Sequence, residues 1–344
     1  FPLELKWQTE LGSSTYERPA YQDGLVLFPA NNSFSSHWYG LEAATGQVVW
    51  SQRIRRNSFR RCLTAEYLVV SGRISLVTLK TQTGKIIWGG ERADTASCSE
   101  EVVFYSGVPR DSIGAINLST GQWIWGGTTP FKSFNGLIYN PETNELLAKE
   151  TTLPGDIYIV EAESGRLEYS FDKVVYAPEE GRGGPVYLID QGQLFLGGTV
   201  LDAQTGKVIH KEDHYHSNTP PTVTADTMYL ASGSEVVAFD RATYNIKWVY
   251  SPGESLPMYT ISPVAILDRV GYVIYSDATL RAIDLEVGQE LGYWQPRLLD
   301  RWRWPVCVPL PFPFCVATTG VGMDTSKDML FVSFGDGKLY AFGE

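Results

Sequence analysis

Histidine is nearly missing from this 344-residue chain: there are four, and three of them crowd into His210-Lys-Glu-Asp-His214-Tyr-His216. Cysteine is scarce too. Its four residues include no adjacent pair and no Cys-x-x-Cys, which removes the spacing of a zinc knuckle or a thioredoxin-like motif. No Gly-x-Ser-x-Gly elbow occurs, so no serine-hydrolase arrangement can be assembled. Basic side chains number 28 against 39 acidic ones, a net charge of −11, which lacks the broad cationic footprint of a nucleic-acid binder. No run of eighteen uncharged apolar residues is present, so no segment reads as a membrane-spanning helix. What is abundant points one way. Hydrophobic residues make up 43%, enough for a packed core, and 33 Gly, 19 Pro, 10 Trp and 19 Tyr suit tight turns and aromatic strands.

A repeat organises the chain. Residues 39–50 read Tyr-Gly-Leu-Glu-Ala-Ala-Thr-Gly-Gln-Val-Val-Trp, and the pattern returns at 77–88 and 114–125, closing on Trp50, Trp88 and Trp125. Weaker copies close on Tyr169, His210, Trp248 and Gly292. An eighth copy is split between the ends: Lys338 to Glu344 reads like the first half of the motif, and Phe1 to Trp7 like the second. Eight units in 344 residues is 43 apiece.

Each unit has a physical reading. Short β-branched and aromatic runs such as Leu25–Phe28, Tyr67–Val70 and Val102–Tyr105 precede the motif and read as strands. Thr-Gly supplies a turn that needs φ > 0, and the residue before it (Glu42, Asn117, Asp202, Asp240, Asp284) can accept from the turn amides. The closing indoles of Trp7, Trp50, Trp88, Trp125 and Trp248 are large enough to wedge between neighbouring sheets, each with an N–H that needs an acceptor. The expectation is an all-β, eight-bladed β-propeller of four-stranded antiparallel blades. It is closed by pairing of the N-terminal strand with the C-terminal strands, as one domain over residues 1–344.

The recurring Ala-x-Asp-x-x-Thr-Gly-x-x-x-Trp pattern resembles the tryptophan-docking repeat of the pyrroloquinoline-quinone (PQQ)-like propeller superfamily along the whole chain. That superfamily holds quinoprotein dehydrogenases and non-catalytic propellers, so the resemblance implies a fold before it implies an activity. The dehydrogenases place a vicinal Cys-Cys pair over the quinone and hold calcium with Glu, Asn and Asp. This chain has no adjacent cysteines and no calcium-loop spacing, and it carries little beyond a bare propeller. Its candidate acids, Asp190, Asp226, Asp268 and Asp324, fall where inner strands would turn. The reading is therefore no bound cofactor and no catalytic residue, with a PQQ-dependent dehydrogenase as the alternative. Length, blade count and absence of cofactor features resemble the BamB-like, non-catalytic members. That likeness implies a scaffold within an envelope or surface assembly, although no lipidatable N-terminal Cys stands in these residues.

Several other clusters have a functional and a plain reading. Cys307 and Cys315 flank a Pro-rich stretch that a disulfide can close, and Cys62 and Cys98 lie about one repeat apart, placed to face each other from neighbouring units. The even count suits an oxidising compartment, and a start at Phe1-Pro2 without Met or leader reads as a mature extracytoplasmic chain after signal removal. His214 and His216, two apart, share a strand face and with Asp213 form a metal candidate. His210 sits in a Trp slot and reads as a packing substitute, so the plain reading is a polar inter-blade loop. Residues 53–61 carry five arginines, of which Arg55, Arg56, Arg60 and Arg61 are candidates to grip an anion or acidic partner; the plain reading is a solvated connection. The insertion 293–316 carries Trp302, Arg303, Trp304, Phe312 and Phe314, residue types that dominate protein interfaces. It is the leading candidate for docking other proteins, with peripheral membrane contact as a further use and plugging of the channel as the plain reading. A propeller binding carbohydrate or a small ligand through the arginines and exposed aromatics is the remaining alternative.

Overall fold

The computed structural model describes residues 1–12, 18–31, 36–54, 58–72, 75–90, 93–107, 112–128, 134–150, 155–174, 187–196, 198–212, 214–215, 217, 219–253, 259–296 and 321–344. These residues form eight four-stranded antiparallel blades, and they contain strands but no helix. Blade 1 runs Ala20–Gln22, Leu25–Asn31, Ser36–Glu42 and Val48–Ile54 in meander order from inner to outer strand. Blades 2 to 7 repeat the order, with inner strands Ser58–Leu63, Ala93–Cys98, Phe134–Asn140, Tyr187–Asp190, Thr222–Val223 and Ala265–Leu267. Their outer strands are Ile86–Gly89, Trp123–Thr128, Leu167–Val174, Val208–Lys211, Ile246–Tyr250 and Glu290–Trp294.

Blade 8 closes the ring. Val321–Thr325, Met329–Phe334 and Lys338–Gly343 come from the C-terminal end, and the outer strand is the N-terminal Glu4–Glu10. The register runs from Glu4 opposite Gly343 to Glu10 opposite Lys338, with a bulge between Leu5 and Trp7. Closure of this kind hides the edges that a linear stack of sheets would leave at its ends.

Burial follows from the stacking. The second strands read as continuous apolar runs because each is covered on both faces by neighbouring blades: every residue of Tyr67–Gly72 and of Thr227–Ser232 is buried. Outer strands alternate instead, as in Val48–Ile54, where Trp50 and Ile54 are buried and Val48 and Val49 are exposed. Blades 2 and 3 are also joined by a direct backbone bridge, Ala93 opposite Gly72, so their strands merge into one continuous sheet.

The seams between blades repeat one device. Indole Nε1 of Trp7, Trp50, Trp88, Trp125 and Trp248 donates to the carbonyls of Ala43, Thr81, Leu118, Ala162 and Leu285 in the next blade, at 2.9, 2.9, 2.7, 2.8 and 3.0 Å. Each ring lies on the turn glycine of that blade (Gly46, Gly84, Gly121, Gly165, Gly288), where a side chain would overlap the indole. The turns are tied by the preceding polar residue: Asp202 Oδ1 accepts from Gln204 N and Thr205 N, and Asp240 Oδ1 from Ala242 N and Thr243 N. The Thr205 and Thr243 hydrogen bonds hold both carboxyls below the ordinary carboxylate value.

Three seams depart from the rule. Gly206 lies under Phe171 and not under Tyr169, the residue in the closing position of blade 4. At the seam of blades 5 and 6 both halves of the device change together: His210 replaces the indole and Tyr244, at φ +58°, replaces the glycine. The two rings stack at 4.7 Å and 7°. At the closing seam, the residue in the indole position is Gly292, against which the Phe1 amino group packs. The Phe1 ring fills the gap edge-on to Tyr272 and Phe342, at 5.9 and 5.8 Å.

Blade 8 also holds a buried acid. Asp336 is 5% exposed and accepts from Tyr340 Oη at 2.6 Å and Lys338 N at 3.1 Å. Burial is the largest influence and pushes its carboxyl above the ordinary value. A raised group contributes stability that is present below its unfolded value, near 3.9, and is lost as pH rises through its folded value. The difference in urea midpoint between the native protein and Asp336→Asn should therefore move in favour of the native protein as pH falls from about 7 to about 4. A difference that stays flat with pH would contradict this account.

Candidate functional site

The inner strands form a ring of short segments stitched from blade to blade at corresponding depths. Asp324 Oδ2 of blade 8 accepts from Tyr21 N of blade 1 at 2.6 Å. Arg61 of blade 2 reaches back to the chain entering blade 1, donating to Arg18 O at 2.5 Å and Pro19 O at 2.9 Å. Cys62 and Cys98 join blades 2 and 3 as a disulfide with 5.9 Å between Cα atoms. Tyr139 N of blade 4 donates to Ser97 Oγ of blade 3 at 2.9 Å, and Thr222 Oγ1 of blade 6 to Val264 O beside blade 7 at 2.5 Å. Between blades 5 and 6, buried Arg241 pairs with Asp190 Oδ2 at 2.5 Å, donates to Thr224 O at 3.0 Å and lies 5.8 Å from the Phe195 ring centre.

Three of the four candidate acids, Asp190, Asp226 and Asp324, are engaged by protein partners. Asp190 is Arg241's partner and Asp324 caps Tyr21 from within a strand, not from a turn. Asp226 lies in a turn with Thr224 Oγ1 and Thr227 Oγ1 at 3.2 Å and Lys247 Nζ at 3.5 Å, and the Thr224 hydrogen bond, ahead of the Lys247 charge, holds its carboxyl low. Asp268 occupies a turn at φ +53°. Among the described residues no group of three His, Cys, Asp or Glu side chains is placed to hold a metal ion.

The arginine run joins the outer strand of blade 1 to the inner strand of blade 2. Arg53 ends in the outer strand of blade 1, and Arg60 and Arg61 stand in the inner strand of blade 2. Arg61's guanidinium is committed to backbone carbonyls of the chain itself. Arg55 and Arg56 lie outside the described residues, as do Trp302, Arg303, Trp304, Phe312, Phe314, Cys307 and Cys315. In the histidine cluster, His214 is exposed, with its N–H on Glu212 Oε1 at 2.9 Å; Asp213 and His216 lie outside the described residues.

The sequence reading passed over the rim. Every one of the eight outer strands exposes at least one large apolar side chain: Leu5, Val48, Ile86, Ile124, Leu167, Val208, Ile246 and Leu291 among them. Trp123 of blade 3 and Tyr293 of blade 7 are the largest, at 54% and 57% exposed. The only sequence signal for this rim was the apolar residue beside each closing position, which the repeat explained as strand and not as surface.

A ring of eight four-stranded blades, seamed by indoles on turn glycines and closed by its own ends, defines the class of a tryptophan-docked propeller. The sequence pattern of the family described as outer membrane protein assembly factor BamB matches residues 4–168 and 109–298, and the chain belongs to that PQQ-like repeat family. Among solved structures, BamB from Moraxella catarrhalis superposes with a TM-score of 0.69 at 14% identity, over 99% of this chain and 100% of that one. The computationally designed Ika8 protein gives 0.71 at 13% identity, over 97% and 99%. A europium-containing methanol dehydrogenase gives 0.66 at 11% identity, over 99% and 93%. At these identities the likeness is one of fold. No curated protein sequence matches the chain. Among the described residues no helix is long and apolar enough to cross a membrane.

Proposed function

We propose that this chain is a non-enzymatic, extracytoplasmic scaffold that holds other proteins in a larger envelope or surface assembly, as a single propeller over residues 1–344. The observation that carries the reading is the apolar rim: a chain that turns a large apolar side chain outward from every blade has surface to offer partners. Membership of the BamB family supports it, and the Cys62–Cys98 disulfide supports an oxidising location. Asp190, Asp226 and Asp324 are each engaged by a protein partner in a turn or an inter-blade bond, which suits a structural role. The insertion 293–316, with Trp302, Arg303, Trp304, Phe312 and Phe314, is the docking element of this proposal.

Capture from native envelope extract with the full chain and with a chain lacking 293–316 tests the reading. A stoichiometric partner held by the first and lost by the second is the expected result; unchanged partners would remove the insertion from the proposal. The quinoprotein alternative is tested by dye reduction after adding PQQ and calcium to the full chain, where robust turnover would overturn the scaffold reading.

A further inference from the structure

The Cys62–Cys98 bridge is the one covalent stitch among the described inner-strand contacts. At the equivalent depth the seams of blades 8 and 1, 3 and 4, and 6 and 7 are held by single hydrogen bonds, Tyr21 to Asp324, Tyr139 to Ser97 and Thr222 to Val264. Besides the disulfide, the seam of blades 2 and 3 has the indole dock and shared core of its neighbours and one backbone bridge. It carries the Trp88 indole on Leu118 O at 2.7 Å, the Ala93–Gly72 backbone bridge, and a shared core of Tyr67, Val69, Leu76, Val103, Tyr105 and Ile116. None of these contacts passes through the disulfide.

The bond packs against the shared core of the seam but is not sealed within it. Cys62 and Cys98 stand near the ends of the two inner strands, opposite Val69 and Val103, and both are only half-buried, whereas Val69 and Val103 are fully enclosed. Thiol–disulfide exchange requires that a thiolate reach one sulfur along the bond, so access decides which disulfides exchange.

We propose that Cys62–Cys98 is a reversible thiol–disulfide exchange site on the inner wall of the ring, a substrate for a dithiol reductant of the Cys-x-x-Cys oxidoreductase class, and that the ring stays closed in both states. In the forward step a thiolate of the reductant attacks one sulfur, the Cys62–Cys98 bond breaks, and a mixed disulfide forms. The second thiol of the reductant resolves it. Two electrons and two protons end on Cys62 and Cys98 as thiols, and the reductant leaves as its disulfide. The change converts this seam from covalent to non-covalent without touching the Trp88 dock or the Ala93–Gly72 bridge. The inference does not depend on the scaffold reading.

The test is native-state reduction of the full chain with dithiothreitol, and separately with a purified Cys-x-x-Cys oxidoreductase and its electron donor. Alkylation and peptide mapping follow, scoring only the peptides that contain Cys62 and Cys98. Both should be labelled without denaturant, the far-ultraviolet circular dichroism should be unchanged, and amides of 58–63 and 93–98 should exchange several-fold faster than in the oxidised protein. Oxidised glutathione should restore the bond. Labelling that appears only after denaturant, or loss of the β spectrum on reduction, would overturn the proposal. The variant Cys62→Ser with Cys98→Ser should fold and reproduce the exchange rates of the reduced protein; a variant that fails to fold would show that the bond is required and sink the inference.

Discussion

Gly84→Ala should destabilise the protein by about 2–5 kcal/mol, while Gly24→Ala, a change of the same kind in the hairpin turn between the first two strands of blade 1, should cost about 1 kcal/mol. Both glycines sit at positive φ, +66° and +83°, so each substitution meets the left-handed penalty of an L side chain. They differ in what lies above them. At Gly24 nothing stands within 4 Å of the position a Cβ would take, whereas at Gly84 three atoms of the Trp50 indole lie within 3.0 Å. Trp50 cannot retreat freely: it is 9% exposed and its Nε1 donates to Thr81 O at 2.9 Å, one turn away from the glycine itself. Moving the ring to admit a methyl group stretches that bond and opens the packing of Leu27, Leu68 and Leu79 in the same cluster. Urea unfolding of the two variants, followed by tryptophan fluorescence, measures the difference. Equal losses would mean that the indole does not bear on the turn, and the seam account would be wrong.

The same contrast explains how far the sequence could be read. Trp and Gly have few substitutes in this device, one because of its size and donor, the other because without a Cβ it takes positive φ at no steric cost and lets a ring lie against it. A motif built from them survives at a regular spacing, and the blade count, the strand order and the pairing of the two ends were all legible from it. Seams that solve the problem with other residues were not. Tyr244 gives no hint in one sequence that it adopts φ +58° to stack on His210, and nothing in the spacing marks Phe171, two residues past Tyr169, as the ring that meets the next turn. Gly292 reads as a lost indole until the Phe1 ring is seen filling the gap. The inner stitches were invisible for a different reason. Bonds such as Tyr21 N to Asp324 or Arg61 to Pro19 O have a backbone group as one partner, and backbone groups leave no trace in composition or spacing. The Cys62–Cys98 pair was legible because both partners are rare side chains placed one repeat apart.

Arg281→Met should destabilise the protein by about 3–5 kcal/mol, and adding Glu290→Leu to it should recover most of the loss. Arg281 stands in the third strand of blade 7, Leu280–Asp284, with its side chain 4% exposed. Its Nη1 lies 2.9 Å from Glu290 Oε2 on the adjacent outer strand, and Tyr250 Oη of blade 6 donates to the same oxygen. The guanidinium is held between the Tyr275 and Tyr293 rings, 5.4 Å from each centre. Removing the cation alone leaves the carboxylate facing two buried phenols, both of which burial already holds above the ordinary tyrosine value. Glu290 is 27% exposed, so it retains some access to water, which sets the expected loss toward the lower end of the range. Replacing both partners with apolar groups of similar size removes the uncompensated charge and leaves Tyr250 to find water or Arg281's former site. A double-mutant cycle of Arg281→Met and Glu290→Leu in urea should therefore show a coupling of about 2 kcal/mol or more. Additive losses would mean that the two side chains act independently, and the junction of blades 6 and 7 would then rest on its other contacts, among them the Trp248 dock, the Thr222 bond and Tyr275 Oη on Ser234 O.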